Sequence, residues 1–116
     1  MPRISLDDFN SAVDERFEDV EFDVAGDKVS KFVQPLRLSE EKRSELGEKF
    51  EKLQANTFED EEDMRKHIMS IFELCAKNKA DYTAFKKHLG ADTAKHIVAA
   101  ELLLTAFGGL MGVGEA

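Results

Sequence analysis

Val20-Glu21-Phe22-Asp23-Val24-Ala25-Gly26-Asp27-Lys28-Val29-Ser30-Lys31-Phe32-Val33 is the stretch on which the fold turns. Val20, Phe22 and Val24 alternate with Glu21 and Asp23, the period of a strand with one face buried. Ala25-Gly26-Asp27 supplies a turn, and Lys28 to Val33 returns as a second strand until Pro35 stops it. A lone hairpin is marginal in water, so this one must lie on helices or extend a neighbouring subunit's sheet.

Every other rhythm is helical. Upstream, Ser5 can cap a first helix, with Asp8 three residues on and Asp7 and Asp8 meeting the positive end of the helix dipole. Leu6, Phe9, Val13 and Phe17 share one face of it. Downstream, Leu36 and Leu38 lead into a second helix capped by Ser39 and started by Glu40 and Glu41. Leu46, Phe50 and Leu53 are its buried stripe, and Glu45–Lys49 and Glu48–Lys52 are spaced to pair at the surface. Gly47 weakens it by about 1 kcal/mol relative to alanine, so either a neighbouring backbone comes close or the helix bends. Asn56 and Thr57 end it.

A third helix, capped by Asp60 with Asp63 or by Thr57 with Asp60, has Met64, Ile68, Ile71, Phe72 and Cys75 on its core face. Asn78-Lys79-Ala80 reads as a link. Asp81 then caps a short fourth helix with Tyr82, Phe85 and Leu89 inward and Gly90 as a left-handed stop. Asp92 caps the fifth. The expectation is a mainly α fold, a compact bundle of about five helices with a β-hairpin near residues 20–33, as one domain over residues 1–107.

The fifth helix is the least ordinary. Ile97-Val98-Ala99-Ala100-Glu101-Leu102-Leu103-Leu104-Thr105-Ala106-Phe107 carries one charge, and a helix apolar all round needs cover on more than one side. Ile97, Ala100, Leu104 and Phe107 can serve the chain's own core. Val98, Leu102 and Leu103 then remain, either wrapped by the other helices or kept for another protein. The glycine-rich remainder, residues 108–116, orders at a high entropic cost and reads as a tail or a splice point.

The 116 residues carry a net charge of −8. Residues 1–63 hold 19 acids and 9 bases, residues 64–116 hold 5 acids and 7 bases, so an acidic front precedes a nearly neutral, adhesive back. An acidic front repels nucleic-acid phosphates, and Lys77, Lys79, Lys86, Lys87 and Lys95 lack the interleaved aromatics of a nucleic-acid surface. The acidity suits solubility. One cysteine excludes an internal disulfide. No segment has the roughly 20 apolar residues of a membrane span, and no secretory signal is visible, so a soluble, cytoplasmic protein away from membranes is expected.

No residue set points to catalysis, a cofactor or a metal. The run Glu59-Asp60-Glu61-Glu62-Asp63 lacks the alternate spacing, central glycine and closing glutamate of a calcium loop and reads as a helix start. His67, His88 and His96 form no paired-ligand motif and read as boundary residues. Cys75 falls on a buried face, where a thiol stays protonated. Gly108-Gly109 and Gly112-x-Gly114 follow a helix rather than a strand, and so do not make a phosphate loop.

The order of these parts resembles a known family. Leu6-Asp7-Asp8-Phe9, Ala12-Val13-Asp14-Glu15-Arg16-Phe17, the acidic strand Val20-Glu21-Phe22-Asp23-Val24, the Gly26-Asp27 turn and Pro35-Leu36-Arg37-Leu38 before a charged helix are similar to the tail assembly chaperones of long-tailed bacteriophages, above all those of phages of actinobacteria. The resemblance implies a small, acidic, non-enzymatic siphovirus protein that acts in the host bacterial cytoplasm and is absent from the mature virion. It implies binding and solubilising of the tape measure protein, and promotion of tail tube assembly. A longer form made by ribosomal frameshifting would reach the tail tube protein, with Gly108 to Ala116 as the junction.

On this reading Ile97, Val98, Leu102, Leu103, Leu104 and Phe107 bind the partner. Phe22, Val24, Val29 and Phe32 serve self-association into a homo-oligomer through the hairpin. The rival expectation is a structural head–tail joining or tail-completion protein retained in the virion.

Overall fold

The hairpin forms where the alternation places it. In the computed structural model, which describes residues 2–108, β1 (Val20–Ala25) and β2 (Lys28–Phe32) pair antiparallel, with Val20 opposite Phe32 and Phe22 opposite Ser30. The register slips between Asp23 and Ala25, leaving Val24 as a bulge that is turned into the core. Gly26 opens the two-residue turn at φ 55°, the positive value that favours glycine at this position of a hairpin.

Five helices accompany it: α1 (Leu6–Arg16), α2 (Glu40–Ala55), α3 (Glu61–Cys75), α4 (Lys79–Leu89) and α5 (Thr93–Ala106). Side-chain caps set their starts, from Ser5 to the Asp8 amide, Ser39 to Lys42, Asp60 to Asp63 and Asp92 to Lys95. Asp60 thus caps α3, and the acidic run is its first turn. The fourth start corrects the sequence reading. Asn78 accepts the Asp81 amide at 2.8 Å, so α4 begins three residues earlier and Asp81 lies inside its first turn. Either residue type caps well, and the pattern of short polar side chains did not decide between them.

Asn56 ends α2 in the left-handed region, φ 52° and ψ 50°. Gly90 follows α4 with φ 58° and ψ −130°, a positive φ as a stop requires but not the left-handed helical pair. Neither expected ion pair of α2 forms among the described residues. Lys49 instead donates to Ser70 on α3 at 3.1 Å, and its carbonyl meets His67 Nε2 at 2.7 Å.

The core is aromatic. Phe22 and Phe32 from the hairpin, Phe72 from α3 and Phe85 from α4 contact one another in all six pairings, with ring centroids 4.6 to 5.9 Å apart. Ile68, Ile71 and Cys75 of α3, Leu46 and Phe50 of α2 and Leu103 of α5 complete it. Ser30 is also enclosed, its hydroxyl donating to the Asp81 carbonyl at 2.8 Å and tying hairpin to α4. The hairpin therefore lies on its own helices, the first of the two alternatives open to it.

One further expectation is corrected here, and one face is left uncovered. His96 is 2 % exposed rather than at a boundary, with Nδ1–H donating to the Asp92 carbonyl at 2.7 Å. The apolar face of α1 is largely open: no α1 residue is fully buried, Leu6 and Phe9 are 74 % and 57 % exposed, and Val13 is half-buried. Among the described residues no other helix or strand is packed along it. Polar contacts hold the root of α1, Arg37 to Asp14 at 3.3 Å, Gln34 to the Glu18 carbonyl at 3.1 Å and Lys77 to Asp19 at 2.7 Å.

Candidate partner-binding groove

The six α5-region residues expected to bind a partner divide three ways. Leu103 and Phe107 are buried, on the stripe with His96, Ala99 and Ala100 that packs toward α3. They are core residues, a correction forced by helix phase: a buried stripe centred on Ala100 and Leu103 carries Phe107 inward and turns Ile97 out. Ile97 is 39 % exposed and Leu104 half-buried, together on one flank of the stripe. Val98 and Leu102, 52 % and 54 % exposed, lie on the other flank, one turn apart.

Val98 and Leu102 form one lip of a groove between β1, α4 and α5. Phe22, Phe85, Leu89 and Ala99 floor it, and of the aromatic cluster only Phe22 is partly accessible here. Lys95, His88 and Asp23 stand at its edge, and its volume is about 370 Å³. That is at the low end of the ~300–1,000 Å³ typical of ligand pockets, room for a few apolar side chains. An amphipathic helix presenting anchors at i, i+3 or i+4 and i+7 suits such a groove.

Three of the four residues expected to serve self-association are drawn into the fold: Phe32 and Val24 are buried, and Phe22 is half-buried inside the aromatic cluster. Their side chains are occupied because the strand's apolar face is the one the helices cover. Val29, half-buried, alternates with the buried Ser30 and Phe32 and is not part of the core. The backbone edges differ. Beyond β2, the Val33 amide donates to the Cys75 carbonyl at 2.8 Å and the Lys77 amide to the Lys31 carbonyl at 2.9 Å, closing that edge. Beyond β1, no strand lies alongside among the described residues.

A second concavity, about 670 Å³, lies at the root of α1, where Asp14, Glu18, Asp19 and Glu21 face Arg37 and Lys77. Its charges are largely spent on each other through the Asp14–Arg37 and Asp19–Lys77 pairs. Among the described residues no group of three or more metal-ligating side chains converges. Burial pushes the Cys75 thiol up to about 12, against a smaller opposing pull from its own backbone hydrogen bond, so it is a poor nucleophile. Arg65 and Glu61 converge on Thr93 at 2.7 and 2.8 Å, a clasp between α3 and α5.

Sequence reasoning named Val98 and Leu102 but missed the rest of the groove. Phe85 and Leu89 read as core, and both are buried, but nothing in their spacing shows that they also line a concavity between two helices. The expected glycine-rich tail lies, from Gly109 on, outside the described residues. Compared with family models, characterised proteins and solved structures, the chain has no match in any of the three.

Proposed function

We propose that this chain is a non-enzymatic tail assembly chaperone, acting in the host bacterial cytoplasm, that binds the tape measure protein through an amphipathic helical segment of that partner. The observation that carries the reading is the groove itself: two exposed aliphatic side chains, Val98 and Leu102, stand over a floor made of the chain's own aromatic core. A partner helix seated there removes apolar surface from water at about 25 cal/mol per Å². The acidic first half of the chain keeps such a complex dissolved. The order of elements resembling that chaperone family supports the choice of partner, and a frameshifted longer form would connect it to the tail tube protein.

Coexpression with a tape measure protein tests this. The wild-type chain is expected to keep the partner soluble and to copurify with it. Val98→Asp with Leu102→Asp should abolish both while leaving helical circular dichroism and the unfolding midpoint unchanged. Undiminished capture by that folded double variant overturns the assignment of the groove. Stoichiometric recovery of the chain from purified virions would favour the head–tail or tail-completion role instead.

A further inference from the structure

We propose that a separate concavity, between α3, α4 and α5, is a binding site for a phosphate monoester, the phosphate of a small organic molecule. It shares no lining residue with the groove of Val98 and Leu102, so the inference does not rest on the proposed function.

His96 carries the argument. It is 2 % exposed, and its Nδ1–H is spent on the Asp92 carbonyl at 2.7 Å. Its Nε2 has no hydrogen-bond partner among the described residues, yet it is not sealed in, because no fully enclosed side-chain nitrogen or oxygen among them lacks a partner. The concavity is its outlet: His96 lines it from α5, facing Arg65 and Lys66 of α3 and Tyr82 and Lys86 of α4. A polar atom withdrawn from water costs free energy until it is paired. An imidazole nitrogen that is buried, unused by the fold and open to a pocket faces a ligand.

The polar groups around it are donors. Arg65 gives one N–H to Thr93 at 2.7 Å and keeps the others. Lys86 pairs with no carboxylate among the described residues, and Lys66 lies 3.4 Å from Glu62 in an exposed pair. Burial first and the Glu73 charge second raise the Tyr82 pKa, so its phenol stays a donor. Three cations thus line the concavity against one acid, Glu62, in a chain of net charge −8. Glu61, joined to Arg65 through Thr93, and Glu73 stand outside the lining. Selectivity therefore rests on directed, charge-assisted donors more than on net charge.

Nε2 selects among oxyanions. While Nδ1 holds its hydrogen, the neutral ring presents Nε2 as an acceptor and the imidazolium presents it as a donor. A phosphate monoester answers both, because its second proton leaves near a pKa of about 6: the monoanion offers a P–O–H to the neutral ring, and the dianion accepts from the imidazolium. One proton lies between nitrogen and oxygen in either case. Sulfate and carboxylates carry no proton near neutral pH and meet only the imidazolium. The volume, about 290 Å³, is close to the lower limit of ~300–1,000 Å³ for ligand pockets. Beside the phosphate it leaves room for a compact organic group against Met69 and Ala91.

Isothermal titration calorimetry of the full chain near neutral pH, with phenyl phosphate, inorganic phosphate and sulfate as probes, decides the matter, read beside nitrogen NMR spectra of the histidine side chains. Phenyl phosphate is expected to bind one-to-one with a Kd of about 1 mM or tighter, and sulfate at least about tenfold more weakly. The His96 Nε2 resonance should move on addition of phenyl phosphate, while that of His67, held against the Lys49 carbonyl, stays in place. Lys86→Ala, at an exposed site, should weaken binding about tenfold through one lost charge-assisted bond, with the unfolding midpoint unchanged. No saturable binding of phenyl phosphate, sulfate bound as tightly, an unmoved His96 resonance or undiminished binding by folded Lys86→Ala overturns the proposal. Val98→Asp with Leu102→Asp should still bind phenyl phosphate, and Lys86→Ala should still capture the tape measure protein. Failure of this inference and failure of the proposed function are therefore seen separately.

Discussion

Helices α1 and α3 are both amphipathic by spacing, yet one has no fully buried residue and the other builds the core. On α3, Ile68, Ile71, Phe72 and Cys75 are wholly enclosed. On α1, Leu6, Phe9 and Val13 have the same helical spacing, and none is buried. Periodicity states which face is apolar and leaves open what covers it. Neighbours make the difference: α3 is met by α2, α4 and α5, whereas α1 is held at one end by an ion pair, a side-chain bond to a carbonyl and the Lys77–Asp19 contact.

The sharpest way to break this comparison is to delete one ring from each helix. Phe72→Ala removes the member of the aromatic cluster that touches Phe22, Phe32 and Phe85, and is expected to cost about 3–5 kcal/mol of unfolding free energy. Phe9→Ala should change the monomer's stability by less than about 0.5 kcal/mol, as an exposed site does. Urea unfolding of both variants at low concentration measures the contrast. Equal losses would mean that α1 packs on its own domain.

Cys75, at the end of α3, reports the same core without disturbing it. With its pKa near 12, against about 8.5 for a free thiol, the thiolate fraction at pH 8 is depressed roughly a thousandfold. Alkylation of the folded protein should be slower by at least that factor than alkylation in denaturant. Rapid labelling in native buffer would show that the core opens locally.

The legible parts of this molecule were those fixed by local chemistry. The hairpin and its turn, four of five caps, and the stripes of α2 and α3 follow from alternation, short polar side chains and apolar spacing. The groove was half legible. Val98 and Leu102 stand out as surplus, but Leu103 and Phe107 looked equally surplus, because on a helix with one charge the apolar pattern does not mark a phase. Only the packing of α5 on α3 sets which five residues turn inward. The hairpin's phenylalanines have the spacing of an oligomer surface as much as of a core for a related reason: which helices fold over a strand face is a tertiary fact.

Gly90 offers a smaller effect at the α4–α5 junction, which shapes one end of the groove. Its φ of 58° with ψ of −130° is a conformation that side chains with a Cβ avoid, although a Cβ built there meets nothing within 4 Å. Gly90→Ala is therefore expected to cost about 1–3 kcal/mol through backbone strain alone. Thermal melting measures it, and no loss would mean that the junction relaxes. Ser30→Ala comes next, losing about 1 kcal/mol with the hydrogen bond from hairpin to α4.

The smallest effect concerns the root of α1, and pH isolates it. Lys77 has its pKa raised first by the hydrogen bond it donates to Asp19 and second by the charge of Asp19. A base whose folded pKa exceeds its unfolded value binds its proton more tightly when folded, so its contribution is complete below about pH 10.4 and fades as pH rises through the folded value. Burial raises Cys75, and burial with the Glu73 charge raises Tyr82. Both favour the protonated fold and act in the same direction, Cys75 from about pH 8.5 upward. Stability should therefore fall on the alkaline side. Lys77→Met should remove only the uppermost part of that fall, with a shift in urea midpoint at pH 7 smaller than for Ser30→Ala, because the pair is exposed and screened. A Lys77 variant that loses as much as Phe72→Ala would show that the charged root, rather than the aromatic cluster, holds the fold together.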